Sequence, residues 1–199
     1  MLNRQGGDLK AGLTRLYSSQ QLAKRVAALG HAVSRDYGDG TVDVVVILEN
    51  ALMFAADLLR KVSCQVVCHF MRAEVRDIEF GGHMRREVYF SRPPRLEDRD
   101  VLVVDAIIQS GVTQDFLLRH LQQSHPRSLR LAVLFDKPDE RRIDIKPDYF
   151  GFSTASKYLA GYGLAGSRGW YRNLPYVGVQ PGRTRKTAGG RSARIRRAR

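Results

Sequence analysis

The sequence predicts an α/β protein, with a parallel sheet of about five strands flanked by helices. Nearly continuous runs of β-branched and aliphatic residues, at 42–48 and 101–104, are typical of strands that are buried on both faces. Amphipathic stretches with helical periodicity lie between such runs. A repeated strand–helix–strand order predicts parallel strands, because the crossing helix returns the chain to the same end of the sheet.

Four elements are predicted in the first 71 residues. Ser18 and Gln21 fit a capping box at the start of a helix over 18–37, and Gly38 suits its end. A strand over 42–48, a helix over 51–61 and a strand over 62–71 follow.

Two cysteines, Cys64 and Cys68, lie four positions apart in the last of these strands. They alternate with apolar residues, so they share one face of the strand. Buried reduced thiols are the predicted state. A metal pair is the alternative, although His69, the nearest further ligand, lies on the opposite face.

The second half predicts a hairpin and then the rest of the sheet. Gly81-Gly82 marks a turn between strands at 75–80 and 84–90. Strands over 101–104, 129–135 and 149–152 and a helix over 113–123 follow. The predicted inner face of that helix carries Phe116, Leu117, His120 and Leu121. Parallel sheets bind ligands beyond the carboxyl ends of their strands, which are here residues 49–50, 105 onward and 136–137.

Composition and charge bound the kind of protein. The chain has 199 residues, 43% of them hydrophobic, which excludes a largely disordered protein. It has no apolar run near about 20 residues and no signal-peptide core, so a cytoplasmic protein without a membrane span is expected.

The net charge of +13 is concentrated at one end of the chain. Eight arginines and lysines and no acid lie in residues 181–199. A domain over 1–180 followed by a disordered basic tail is therefore predicted. Residues 183–199 either contact RNA or an acidic partner, or form a solvated tail.

The most informative stretch is residues 101–113, VLVVDAIIQSGVT. A buried strand is followed by a short turn of small and hydroxyl residues and then by a helix start. This layout predicts a phosphate-binding loop at Ser110, Gly111, Val112 and Thr113, because backbone N–H groups, hydroxyls and a helix N-terminus all face one anion. The alternative is an ordinary capped helix start.

Three strings carry a resemblance to a known family. They are residues 101–113, LFDKP at 134–138, and a C-terminal string from DYFGF at 148–152 through KYLAGYGL at 157–164 to YRNLPYVGV at 171–179. In this order, over roughly 14–180, they resemble the type I phosphoribosyltransferases, specifically the hypoxanthine-guanine family. The resemblance implies the type I phosphoribosyltransferase fold, with a small hood from the two terminal regions over the base site. It also implies purine salvage, in which a 6-oxopurine joins the ribose of phosphoribosyl pyrophosphate (PRPP) with Mg²⁺ and releases pyrophosphate.

The resemblance assigns the reacting end of the site. It places the 5′-phosphate on residues 110–113, and it places the ribose and a weak metal contact on Asp105. Ala106 stands where the family has a second acid. Gln109 stands at the position of the aspartate that serves as general base, and an amide cannot take up a proton near neutral pH.

The resemblance also assigns the base and pyrophosphate contacts. Lys137 matches the lysine that contacts the purine O6, with a surface lysine at a strand end as the alternative. Tyr158 matches the aromatic that stacks on the base, with a core aromatic as the alternative, and Lys157 and Leu159 match backbone positions that read the base edge. Arg172 matches a pyrophosphate contact, Glu49-Asn50 replace a Lys-Gly pair of the pyrophosphate loop, and Ala165 replaces a metal-binding aspartate.

The departures cluster at the metal, pyrophosphate, ribose and proton-transfer positions. This clustering predicts a purine phosphoribosyltransferase-like protein with weak or altered activity. The alternative is a non-catalytic protein that binds a purine base or nucleotide as a regulator or scaffold. The resemblance further implies a homo-oligomer, a dimer or a tetramer.

Overall fold

A mixed α/β sheet forms the centre of the computed structural model, which describes residues 12–80, 83–90, 94–156 and 158–179. The strands are β1 (Thr14–Tyr17), β2 (Thr41–Leu48), β3 (Gln65–Phe80), β4 (His83–Phe90), β5 (Asp100–Ile108), β6 (Ser128–Asp136), β7 (Tyr149–Ser153), β8 (Leu159–Ala160) and β9 (Val177–Val179). The helices are α1 (Ser19–Tyr37), α2 (Leu52–Leu59) and α3 (Val112–Gln122), with short 3-10 turns at Pro138–Glu140 and Ser167–Gly169.

The central sheet has six strands in the order β4-β3-β2-β5-β6-β7. Five of them are parallel, and β4 pairs antiparallel with β3 at one edge. The predicted fold class is therefore confirmed, and so is the hairpin, whose turn at 81–82 lies outside the described residues. The two strands predicted at 62–71 and 75–80 are one continuous strand, β3.

Helices cover both faces of this sheet, as the continuous apolar runs predict. Along β2, Val42, Val44 and Val46 pack in the layer of α1 and α2, whereas Val45 and Ile47 pack in the layer of α3. Alternate side chains of a strand point to opposite faces, so a strand between two helical layers needs apolar residues at every position. Each such burial stabilises the fold by about 1.5–3 kcal/mol.

The ends of α1 follow from its sequence. Gln21 N–H donates to Ser18 Oγ at 3.3 Å, and Ser18 N–H donates to Gln21 Oε1 at 2.9 Å, which is the predicted capping box. Gly38, with φ 57°, ends the helix at the predicted residue.

The predicted inner face of α3 is partly wrong. Gln114, Leu117 and Leu121 are buried, whereas Phe116 is 52% exposed and His120 is half-buried. The three buried residues have the i, i+3, i+7 spacing of a single helical face. The amide of Gln114, in the first turn, therefore lies on the inner face of α3, whereas Phe116 and His120, which were expected on that face, do not.

The prediction of two buried thiols is right for one cysteine only. Cys64 is buried, and burial raises the pKa of its thiol, but Cys68 is exposed. Phe70, on the same face as Cys68, is 57% exposed, so this face of β3 is not buried along its whole length.

The terminal segments form a second sheet, in the order β1-β9-β8. Thr14 and Leu159 both align with Val179, so the N-terminal strand and the C-terminal strands share one small layer. This layer is the predicted hood. The basic tail at 181–199 lies outside the described residues. No helix among the described residues is long and apolar enough to cross a membrane.

Candidate functional site

A cavity of about 230 Å³ lies at the carboxyl edge of the central sheet, where the sequence places the site. It lies between the end of β2 and the connection from β5 to α3. Its lining includes Ile47, Leu48, Asn50, Ala73, Asp105, Ile107, Gln109, Ser110, Thr113 and Gln114.

The turn into α3 presents donors to this cavity. Gly111 has φ 81°, a left-handed conformation that glycine adopts without a steric penalty. Gly111 is the N-cap residue and has no side chain to cap the helix, and Val112 N–H makes only a long hydrogen bond of 3.4 Å to Ser110 Oγ, so the start of α3 is largely open. Ser110 and Thr113 line the same space. An open helix start with two hydroxyls favours the phosphate-loop prediction over an ordinary capped helix.

The segment after β6 braces this turn from behind. Arg142 and Ile143 donate their N–H groups to Ser110 O at 2.9 and 3.3 Å. A Cβ on Gly111 would lie 2.5 Å from Ile145 Cγ2, so this segment packs directly against the glycine. The loop is therefore fixed before any ligand arrives, which favours tight binding.

Strand β5 runs four residues further than predicted and includes Asp105 and Ala106. Neighbouring strand residues face opposite layers. Asp105 faces α3 and lines the cavity, whereas Ala106 packs in the layer of α1 and α2 and is 1% exposed.

The Asp105 carboxylate is held by the protein itself. Gln114 Nε2 donates to Asp105 Oδ2 and Ala106 N–H donates to Oδ1, both at 2.7 Å. Burial raises the pKa of Asp105 to about 6, and the hydrogen bonds from Gln114 and Ala106 reduce that rise. Gln114 is thus a site residue that the sequence assignments missed. The available signal was its spacing, three residues before Leu117 and seven before Leu121, which puts Gln114 on the same helical face as these two leucines.

The raised pKa of Asp105 predicts a specific pH dependence of the free energy of unfolding. Its folded pKa is above its unfolded value, so its stabilising contribution is complete below about pH 4 and is lost as the pH rises through about 6. From pH 4 to pH 8, the free energy of unfolding should fall by about 3 kcal/mol relative to Asp105→Asn. Urea denaturation of both proteins across this range measures the difference. If the free energy of unfolding of the wild type, relative to that of Asp105→Asn, stays constant or rises with pH, the raised pKa of Asp105 is contradicted.

A second, more open cavity of about 560 Å³ adjoins the first. It is lined by Gln109, Ser110, Asp139, Glu140, Arg141 and Arg142. Gln109 and Ser110 line both cavities, which places the predicted proton-transfer position between them. Arg141 donates to Gln109 O at 2.7 Å and also pairs with Asp136, so it fixes the backbone at this junction.

Lys137 is not the surface lysine of the alternative interpretation, since it is 1% exposed. Its ammonium lies 3.1 Å from Glu140 Oε1, and Glu140 lines the second cavity. A buried lysine needs a partner of this kind. The sequence did not identify Glu140 as this partner, because Glu140 lies in the turn after β6 and outside the three strings that carry the resemblance.

Tyr158 and Leu159 lie in and beside the hood. Tyr158 is 58% exposed, which excludes the core aromatic, and Leu159 is buried in β8. Neither residue lines the two cavities above. Lys157 lies outside the described residues.

The segment after β2 carries a network of charges that the sequence did not predict as a unit. Arg172 donates from Nη1 to Asn50 Oδ1 and to Gly163 O, both at 2.7 Å, and from Nη2 to Glu49 Oε2 at 3.2 Å. Arg72 pairs with the other oxygen of Glu49. A Cβ on Gly163 would lie 2.5 Å from Asn50 O, so the turn that precedes Arg172 packs closely against this segment. Arg72 was missed because it lies within β3 and outside the three strings.

The side chains at the site do not fit a metal ion held by the protein. In the described parts of the chain, no group of three or more His, Cys, Asp or Glu side chains is placed to hold one. Asp105 is the one acid in the lining of the first cavity, and positions 106 and 165 are alanines. Mg²⁺ is usually held by one or two carboxylates together with substrate phosphates.

The comparisons with known proteins agree with this geometry. Residues 12–165 match the family model described as a phosphoribosyl transferase domain. A hypoxanthine-guanine phosphoribosyltransferase of Bacillus subtilis is 31% identical over 164 residues, which are 82% of this chain and 91% of the relative. One of Staphylococcus epidermidis is 33% identical, over 86% of this chain and 94% of the relative. The crystal structure of a Staphylococcus aureus hypoxanthine phosphoribosyltransferase superposes with a TM-score of 0.79 at 28% identity, covering 89% of this chain and 97% of that one.

Proposed function

This chain belongs to the type I phosphoribosyltransferases, in the hypoxanthine-guanine family, and we propose that it is a purine phosphoribosyltransferase with weak or altered activity. The proposed substrates are a 6-oxopurine and PRPP. A purine ring nitrogen forms a bond to the ribose C1′, the bond from C1′ to the pyrophosphate oxygen breaks, and pyrophosphate leaves with its electron pair. The proton of the ring nitrogen passes to solvent, because Gln109 cannot accept it.

The observation that carries this proposal is the open, braced turn at 110–113 in a cavity at the carboxyl edge of the sheet. Such a turn binds a phosphate through backbone N–H groups, hydroxyls and the helix dipole. A phosphate fixed there places the attached ribose toward Asp105, and the Lys137 ammonium is proposed to select an oxo group on the base. Catalysis then rests on positioning and electrostatics.

The direct test is turnover. We expect the purified protein, incubated with PRPP, Mg²⁺ and a panel of purines, to form a nucleoside monophosphate of hypoxanthine or guanine, detected by mass spectrometry. Loss of the general base alone predicts a rate about 10²–10⁴-fold below that of an enzyme with the aspartate. No product with any purine, at an enzyme concentration sufficient to detect such a slow rate, would contradict the proposal.

A non-catalytic nucleotide-binding role is the second candidate, and Gln109 at the position of the general base favours it. An amide cannot accept the purine proton near neutral pH, but it can still form a hydrogen bond with the edge of a bound base. Under this candidate the protein binds a purine mononucleotide and turns over no PRPP. A homo-oligomer remains part of either proposal.

A further inference from the structure

Two arginines converge on one carboxylate beside the proposed phosphate cavity. Arg72 and Arg172 each pair with a different oxygen of Glu49. The residues on either side of Glu49, Leu48 and Asn50, line the same cavity as Ser110 and Thr113. Two converging guanidinium groups form a common binding arrangement for phosphate as well as for carboxylate. The protein therefore supplies its own anion next to a cavity that presents phosphate donors, although Glu49 and its two arginines are not part of the cavity lining.

The position of Arg172 depends little on Glu49. Its Nη1 donates to Asn50 Oδ1 and to Gly163 O at 2.7 Å, so two neutral acceptors hold the guanidinium. Only Nη2 contacts Glu49. Removal of the Glu49 charge therefore leaves a positioned guanidinium facing the place of the lost carboxylate. An anion that binds there meets a preorganised partner.

We propose that Glu49 is a specificity-determining residue, whose carboxylate occupies the anion subsite between Arg72 and Arg172 and makes the pocket favour ligands with a single 5′-phosphate over ligands that also carry a pyrophosphate. The proposal rests on the proposed function, since it takes the loop at 110–113 as the seat of that phosphate. A nucleoside monophosphate needs no second anion subsite. PRPP and free pyrophosphate must displace Glu49 to use it.

A pyrophosphate-bearing ligand can displace Glu49 from the two arginines, but the displacement is unfavourable. The Glu49 side chain is 53% exposed, and ion pairs this exposed are weak, so a second anion can compete for the two arginines. A displaced Glu49 still lies next to the incoming anion and repels it, more strongly at low ionic strength. Glu49 therefore lowers affinity for pyrophosphate-bearing ligands without abolishing it.

The test compares three ligands with four proteins by isothermal titration calorimetry at low salt. The ligands are guanosine monophosphate, PRPP and inorganic pyrophosphate, the last without Mg²⁺, and the proteins are the wild type, Glu49→Gln, Glu49→Lys and Glu97→Gln. Glu97 is an exposed glutamate before β5, at the opposite edge of the sheet, so it controls for the loss of one negative charge. Glu49→Gln should bind pyrophosphate and PRPP about tenfold more tightly and bind the monophosphate within about twofold of wild type.

Three outcomes have separate meanings. Glu97→Gln should match the wild type, and Glu49→Lys, which reverses the charge, should exceed the gain of Glu49→Gln. Equal pyrophosphate affinity in the wild type and both Glu49 variants would overturn the role of Glu49. Thermal melting of each variant checks that it is folded. No binding of guanosine monophosphate by the wild type would instead count against the proposed function, because that ligand does not depend on the arginine pair.

Discussion

Gln109→Asp is expected to raise the rate of nucleotide formation by about 10²–10⁴-fold, the usual contribution of a general base. Gln109 is exposed and lies at the junction of the two cavities, so an aspartate there meets no burial penalty. With an ordinary pKa near 3.9, the new carboxylate is ionised at neutral pH and can accept the proton of the purine. Single-turnover rates with PRPP and guanine or hypoxanthine measure the gain.

Gln109→Asn is the matched control for this prediction. Asparagine has the shape of aspartate but cannot accept a proton, so its rate should stay at the wild-type level. The gain of the aspartate variant should also disappear as the pH falls through about 4. Equal rates for the two variants would show that proton transfer does not limit the reaction and would turn attention to the pyrophosphate end of the site.

Ala106→Asp, which would restore the second acid of the family, should not be combined with Gln109→Asp. Ala106 is 1% exposed and packs among the apolar residues of the α1 and α2 layer. A carboxylate buried there without a partner costs several kcal/mol, which would offset any gain at the ribose. The single variant at Gln109 therefore gives the clearer test.

Ser110→Ala combined with Thr113→Val is expected to weaken nucleoside monophosphate binding by about 10²–10⁴-fold. The two substitutions remove both hydroxyls that line the cavity at the start of α3. A hydrogen bond to a charged group contributes about 1.5–3 kcal/mol, so two of them account for this range. The backbone N–H groups of the turn remain and should hold a residual affinity. Calorimetric titration with guanosine monophosphate measures the loss.

Ser124→Ala combined with Thr41→Val is the control for these changes. Ser124 follows the opposite end of α3, and Thr41 begins β2 at the other edge of the sheet. The same two chemical changes made there should leave the affinity within about twofold of the wild type. If the Ser110 and Thr113 variant binds as the wild type does, the phosphate does not sit on this loop.

Local sequence patterns were sufficient for most of the fold. The capping box at Ser18 and Gln21, the glycine stop at Gly38 and the apolar run of β2 specify their elements through nearest neighbours, and the structure has all three. The extent of β5 was not predicted, because Asp105 and Ala106 interrupt its apolar run and the strand continues beyond them through pairing with β6. Pairing partners lie far away in the chain, so a local window does not contain them.

The site also has features that the local sequence determined and features that only the tertiary structure decided. The sequence by itself determined the loop at 110–113, the departures at Gln109 and Ala106, and the family to which the chain belongs. Tertiary structure alone decided that Gln114 holds Asp105 and that Arg72 and Arg172 meet at Glu49. The reason is physical: a loop at a helix start is made by consecutive residues, whereas an ion pair between distant segments depends on how the strands and the C-terminal turn pack together.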